Sequence, residues 1–152
     1  MRVRSWKTYL GRPENDWGRR NAMSTLGIGL SVAKQYADAL VVREAELAME
    51  RRFGAPEVDI LVALANLANT YEALERPEEA LGLRGNYCQA LYRGESATLD
   101  DIREAVTILE DLAPSARRVL GSAYPLAISI ETTLRDARAT LSARETPSPG
   151  SA

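Results

Sequence analysis

The sequence predicts an all-α fold of tandem antiparallel helix pairs, stacked as a short α-solenoid. A glycine followed closely by a proline recurs along the chain, and two of these glycines, Gly11 and Gly54, lie 43 residues apart. A second marker, an alanine followed by leucine, recurs at Ala39 and Ala80, 41 residues apart. Apolar residues between the markers follow helical spacing, and strand-like alternation is absent. Because both markers recur at nearly the same spacing, the sequence indicates repeated helical units.

The helix boundaries follow from the glycine–proline passages. Glycine just past a helix accepts the left-handed conformation, and proline fits the first turn of the next helix. The predicted helices are residues 16–34, 37–52, 58–74, 77–92, 99–120 and 125–143. They form a repeat array over residues 1–143 with units of about 16–54, 56–93 and 98–143, the last irregular. Residues 144–152 are predicted to be a disordered tail.

Three local features qualify this pattern. Thr98 precedes two aspartates and predicts an N-cap, because its side-chain oxygen can accept an orphan backbone amide. Pro114 lies inside the fifth predicted helix, where a missing hydrogen bond predicts a kink or a break. Residues 86–91 look like another first helix of the type that begins at Asn66, but they follow it after only 20 residues, about half a period. Gly82 and Gly85 weaken a continuous helix there. That segment is either a fused, weakened helix or a shortened connection.

Composition excludes several classes of function. The chain has 152 residues, a net charge of −2, no histidine and one cysteine, Cys88. The charges are interleaved, which gives no footprint for nucleic acid. Apolar runs are far shorter than the roughly eighteen residues of a membrane span, and no leader pattern is present, so a cytoplasmic protein without a membrane partner is expected. Cys88 is expected to be a buried apolar residue.

Catalysis has no support in the sequence. The absence of histidine removes the usual general base and the commonest metal ligand. Residues 27–32 approach a dinucleotide fingerprint, but the sixth position is valine and no strand precedes them. Adjacent carboxylates such as Glu78 and Glu79 start helices, where the helix dipole explains them. A non-enzyme with no catalytic residue, no cofactor and no metal site is therefore predicted.

Two stretches carry a family resemblance. Residues 66–71 (Asn-Leu-Ala-Asn-Thr-Tyr) and 76–81 (Arg-Pro-Glu-Glu-Ala-Leu) resemble the tetratricopeptide repeat, in which small residues occupy the closest helix crossings. Ala68 and Ala80 match those positions, and Gly27 and Ala39 match them one unit earlier. The long period and the turn at Phe53 resemble the kinesin-light-chain type of repeat. Residues 97–106 and 116–121 are similar to closing repeats of large uncharacterised proteins from algae and other protists, so the resemblance covers about residues 20–143.

The resemblance implies a right-handed superhelix that binds a protein or peptide partner in a concave groove. Asn66 and Asn69 would hydrogen-bond the bound backbone, because an amide can do so whatever the peptide's side chains. A solvent-facing or helix-packing asparagine is the alternative for both. The family's basic clamp for a terminal carboxylate has no match. The predicted peptide-binding residues are Asn66, Asn69, Val62, Glu72, Ser24, Ile28 and Ser31, with Asn21 and Ala65 on the same surface.

A structural role is the alternative function. A short array leaves apolar faces at its ends, and these need to be covered. Val3, Trp6 and Leu10 are candidates for such a contact. Under this hypothesis the chain is a self-associating repeat module, a homo-oligomer through its terminal helices, or a fragment of a larger scaffold.

Overall fold

The protein is all-helical, as the sequence predicts. The computed structural model describes residues 17–146, and within this range it contains six α-helices and no strand. Each end lies within two residues of the predicted boundary. The helices are α1 (Trp17–Val32), α2 (Tyr36–Arg52), α3 (Glu57–Ala73), α4 (Pro77–Arg93), α5 (Leu99–Leu120) and α6 (Pro125–Glu145). The chain divides into two compact units after Arg76, with three of the helices in each.

The same turn follows α1 and α3. Lys34 and Glu75 have positive φ angles of 59° and 57°. One residue later, the amide of Gln35 donates to the Leu30 carbonyl at 2.8 Å, and that of Arg76 donates to Tyr71 at 2.9 Å. These 6→1 bonds are typical of a Schellman ending. The two turns are 41 residues apart, so the spacing of Ala39 and Ala80 recurs in backbone geometry.

The first unit places α2 against both α1 and α3. Arg20, near the start of α1, pairs with Glu50 near the end of α2, while Gly27 lies against Arg43, so the two helices are antiparallel. Tyr71 near the end of α3 donates to Glu44 of α2. Asp59 near the start of α3 lies by Arg20 at the Glu50 end of α2, so α3 is antiparallel to α2 and parallel to α1. The buried apolar core of this unit is Ala22, Met23, Leu26, Ala39, Leu47, Met49, Ala63, Leu64, Leu67, Ala68 and Tyr71.

The second unit packs α5 against α4 and α6 and brings α4 beside α6. Helix α4 runs unbroken through Gly82 and Gly85, so the connection there is not shortened. These glycines face α6: ideal Cβ atoms would lie 3.9 Å from Leu126 and 3.6 Å from Ile130. A Cβ at either position would therefore make only an ordinary van der Waals contact with α6. The buried apolar core is Ala80, Leu81, Cys88, Leu91, Tyr92, Ile102, Ala105, Val106, Leu109, Leu112, Ala113, Ala116, Ala127, Ile130 and Ala137.

Helix α5 has a confirmed N-cap and an unexpected continuity. Thr98 accepts a hydrogen bond from the Asp101 amide at 3.1 Å, and Asp101 accepts one from the Thr98 amide, which forms a capping box. Of the kink or break expected at Pro114, the break does not occur, since α5 is continuous to Leu120. Ala113 and Ala116 are buried on either side of the proline. Packing of this face stabilises the helix although one backbone bond is missing.

Two sequence predictions concern the ends of the chain. The tail does not begin at residue 144, because α6 continues to Glu145. Arg144 donates to the Ala97 carbonyl at 3.2 Å and Glu145 pairs with Arg103, so these contacts hold the last turn. Residues 147–152 lie outside the described residues, as do Val3, Trp6 and Leu10. The six described helices include no segment with the length and apolar character needed to cross a bilayer.

Candidate functional site

Predicted binding residues form two stripes in the first unit. Ser24, Ile28 and Ser31 lie at steps of four and three on α1, which places them on one helix face. Val62, Asn66 and Asn69 repeat this spacing on α3, and Glu72 continues it. Because α1 and α3 are parallel, the two stripes run in the same direction.

A cavity of about 230 Å³ opens where the stripes begin. We call it the α1–α3 cavity. Trp17 on its lining is 74% exposed, whereas Glu46 and Glu50 are only 8% and 7% exposed. The cavity therefore combines an exposed aromatic ring with nearly buried carboxylates. It is lined by Trp17, Arg20, Asn21 and Ser24 of α1, Glu46 and Glu50 of α2, and Asp59 and Val62 of α3.

Arg20 joins all three helices of the unit. Its Nε donates to Glu50 Oε1 at 3.2 Å, and its Nη2 donates to the other oxygen of the same carboxylate. Nη2 also lies 3.7 Å from Asp59 Oδ2 on α3. A bidentate guanidinium–carboxylate pair fixes orientation as well as distance. Arg20 and Glu50 therefore hold one wall of the cavity in place.

A second ion pair lies on the adjacent turns of α2. Arg43 is 4% exposed, and its Nη1 donates to Glu46 Oε2 at 2.9 Å. Its guanidinium packs on the backbone of Gly27, where an ideal Cβ would lie 2.8 Å from Arg43 Cζ. Glu46 Oε1 has no hydrogen bond within residues 17–146. Glu46 therefore faces the cavity with one of its two oxygens unpaired.

The predicted residues meet the cavity only in part. Ser24 and Val62 line it, together with Asn21. Ile28 is 47% exposed, and Ser31 donates its hydroxyl to the Gly27 carbonyl at 3.0 Å. Asn66, Asn69 and Glu72 do not line the cavity; Asn66 is half-buried, and the other two are exposed on the same face of α3. Their role in binding stays a prediction.

Sequence reasoning missed three buried charged residues of α2, two of which line the cavity. Arg43, Glu46 and Glu50 belong to a helix rich in charged residues, which suggests a solvated surface. A usable signal was nevertheless present in the spacing. These residues follow the small residue Ala39 at steps of four, three and four, so they share its face. Since Ala39 is fully buried, burial of the same face follows.

The second unit has a larger polar cavity between α4 and α6, of about 530 Å³. At its edge, the Tyr92 hydroxyl donates to Asp136 Oδ2 at 2.7 Å, and Arg93 Nη2 donates to the same oxygen at 2.6 Å. The pKa of Tyr92 is raised to about 12, chiefly by burial of the side chain and secondly by its hydrogen bond to Asp136. Bonds from Arg93 and Tyr92 lower the pKa of Asp136. The cavity is lined by Gln89, Arg93, Ser129, Thr132, Thr133, Arg135, Asp136 and Ala139.

Neither cavity presents an arrangement typical of metal binding. Between residues 17 and 146, no group of three or more aspartate, glutamate or cysteine side chains is placed to hold a metal ion. Both cavities present hydrogen-bonding and charged groups on α-helices. No family model matches the chain, and neither the curated proteins nor the solved structures contain a match.

Proposed function

We propose that the chain is a non-catalytic, tetratricopeptide-like helical module that binds a protein or peptide partner through the first unit. The four positions matched to the small residues of the repeat support the family proposal, because Gly27, Ala39, Ala68 and Ala80 are all buried. The identical turns at Lys34 and Glu75 support the 41-residue unit.

The observation that carries the binding proposal is the α1–α3 cavity and its exposed apolar rim. Val62 is 54% exposed, and Ile28 lies one turn beyond the cavity-lining Ser24. Together with Trp17 they present three large apolar side chains to solvent in one small unit. Exposed apolar groups next to polar ones are typical of protein-binding surfaces, in which tryptophan is often an energetic anchor.

A peptide selection tests this function. The full chain would be immobilised and used to select binders from a random peptide display library. We expect selected peptides to bind the Asn66→Ala/Asn69→Ala variant about tenfold or more weakly, since loss of buried hydrogen bonds to a ligand costs about 1–3 kcal/mol. Asn86→Ala is the matched control, because Asn86 is an exposed asparagine on α4 of the other unit.

The outcomes discriminate clearly. Recovery of no binding peptide would reject the function itself. Equal affinity for the wild type and the Asn66/Asn69 variant would reject the role of the α3 stripe. Circular dichroism of each variant checks that its helices are intact, so that a lost affinity reports the surface and not unfolding.

Self-association is a second candidate, favoured by one corner of the second unit. Val119, Tyr124 and Ile128 flank the α5–α6 turn and are 51%, 37% and 49% exposed. A second copy of the chain could cover them. Sedimentation equilibrium tests this: dimerisation that is lost in Val119→Ser/Ile128→Ser supports it, and a strict monomer at high concentration rejects it.

A further inference from the structure

We infer that the α1–α3 cavity receives a lysine or arginine side chain of the partner. The inference rests on the proposed function, because it names the chemistry of the same partner. The starting observation is an imbalance of charge. Three carboxylates meet at the cavity, those of Glu46, Glu50 and Asp59, whereas two guanidiniums pair with them, those of Arg20 and Arg43. Among residues 17–146, one negative charge is left without a partner of its own.

The distances show which carboxylates can accept an incoming cation. Both oxygens of Glu50 are engaged by Arg20. Asp59 lies 3.7 Å from Arg20, and its side chain is 47% exposed. Glu46 keeps Oε1 unpaired although the residue is only 8% exposed. A partly buried charge is screened by salt much less than a surface charge. Glu46 and Asp59 therefore supply the attraction.

The cavity also has the groups that hold the rest of a basic side chain. Trp17 stands at the cavity with 74% of its surface exposed. The face of an indole is the best aromatic surface for a lysine or arginine cation. The side-chain oxygens of Asn21 and Ser24 can accept its N–H groups. A volume of about 230 Å³ is several times the roughly 30 Å³ that one water occupies in the liquid.

An acidic side chain is disfavoured at the same place. It would meet the unpaired oxygen of Glu46 and the carboxylate of Asp59, and like charges brought together across an interface are strongly unfavourable. A neutral apolar side chain that displaces water from the cavity would leave Glu46 Oε1 without a donor. A buried acceptor that loses its partner is costly. The negative charge of the cavity thus attracts basic side chains and also disfavours acidic and neutral apolar ones.

The experiment uses the peptides selected by the full chain. We expect them to share a lysine or arginine at one position, and replacing it with norleucine should weaken binding about tenfold or more, as for other partly buried charge pairs. Asp59→Asn should cause a similar loss for the basic peptide and little loss for its norleucine form, whereas Trp17→Ala should weaken both peptides and the basic one more. Raising the salt concentration should weaken the wild-type complex more than the Asp59→Asn complex.

Matched variants separate the cavity from general effects of charge and apolar surface. Asp38→Asn removes an exposed carboxylate from the first turn of α2, away from the cavity. Phe53→Ala removes an aromatic ring that is 45% exposed in the same unit. Neither should change affinity. Glu46→Gln tests the buried carboxylate directly. If Glu46→Gln is unstable, Asp59→Asn still tests the inference, because Asp59 is exposed and its replacement should not disturb folding.

The outcomes of this test differ from those of the proposed function. Selected peptides with no common basic residue, or with an acidic one, would overturn the inference and leave peptide binding intact. Equal binding of a basic peptide to wild type and Asp59→Asn would also overturn it. If no peptide is selected at all, the proposed function fails first and the inference fails with it.

Discussion

The guanidinium of Arg43 rests on the backbone of Gly27. A Cβ at position 27 would lie 2.8 Å from Arg43 Cζ and 2.9 Å from Nε, closer than carbon contacts allow. Arg43 cannot swing away freely, because it is 4% exposed and bonded to Glu46. Its Nε is buried with no hydrogen-bond partner within residues 17–146. Glycine at position 27 therefore leaves the room that the guanidinium of Arg43 occupies.

Gly27→Ala should destabilise the protein, although alanine is the better helix former. Overpacking typically costs about 1–3 kcal/mol, which exceeds the roughly 1 kcal/mol gained in helix propensity. In an Arg43→Ala background the clash is absent, so the same change should stabilise. Urea unfolding of the four proteins of this cycle measures the change of sign.

Gly82→Ala is the matched control for this cycle. Its nearest neighbour, a methyl of Leu126, would lie 3.9 Å from the new Cβ, an ordinary contact. We expect a gain of up to about 1 kcal/mol there. Destabilisation by Gly27→Ala of equal size in both Arg43 backgrounds would contradict the steric explanation.

The sequence identified where helices approach closely but not what they approach. Gly27 and Ala39 were recognisable as small positions because they repeat at Ala68 and Ala80. Helix boundaries were predictable because glycine, proline and Thr98 act locally. Arg43 and Glu46 were not recognised, because burial of a charged pair depends on the neighbouring helices and leaves no mark in composition. The cavity was predicted only at Asn21, Ser24 and Val62 for the same reason.

Pro114→Ala should stabilise the second unit. Residue 114 lies inside a continuous helix and is exposed, so alanine restores an amide without filling the core. Proline in a helix interior costs about 3 kcal/mol relative to alanine, and we expect a gain of about 1–3 kcal/mol because the helix is already adapted to it. Denaturant unfolding followed by circular dichroism measures the gain.

Pro125→Ala is the control for the proline substitution. Pro125 is the first residue of α6, where no intrahelical amide bond is missing. This change should be neutral or slightly destabilising. A gain as large as that of Pro114→Ala would show that the effect does not come from the missing helical hydrogen bond, because loss of a proline by itself loosens the unfolded chain and lowers stability.

The thiol of Cys88 should be unreactive in the folded protein. Its side chain is fully buried. The pKa of Cys88 is raised to about 12, chiefly by this burial and secondly by the nearby Glu104 carboxylate. Only the thiolate attacks disulfide reagents. At pH 8 we expect labelling by Ellman's reagent to be about a thousandfold or more slower than in urea, because reaction requires opening of the second unit.

An exposed thiol calibrates that rate. Thr107 is exposed on α5, so Thr107→Cys in a Cys88→Ala background should react at the rate of a free thiol. Rapid labelling of native Cys88 would mean that the second unit opens easily or that the thiol is accessible. Because Cys88 is the only cysteine of the chain, the signal reports one site.

Tyr92→Phe should remove part of the loss of stability in alkali. The pKa of Tyr92 is raised to about 12 from 10.0 by burial and by its bond to Asp136. Between these values the unfolded chain has lost the phenolic proton and the folded chain retains it, so unfolding becomes more favourable as pH rises. The contribution is complete below pH 10. Loss of the bond should also cost about 1–2 kcal/mol at neutral pH.

Urea midpoints between pH 8 and 11.5 measure this dependence. The wild type should lose stability more steeply above pH 10 than Tyr92→Phe does, and Tyr36→Phe, whose hydroxyl forms no hydrogen bond within residues 17–146, should follow the wild type. Asp136 gives the opposite dependence, because Arg93 and Tyr92 lower its pKa: its contribution is present at neutral pH and lost in acid. Parallel alkaline profiles for wild type and Tyr92→Phe would show that the phenol is not a stabilising donor to Asp136.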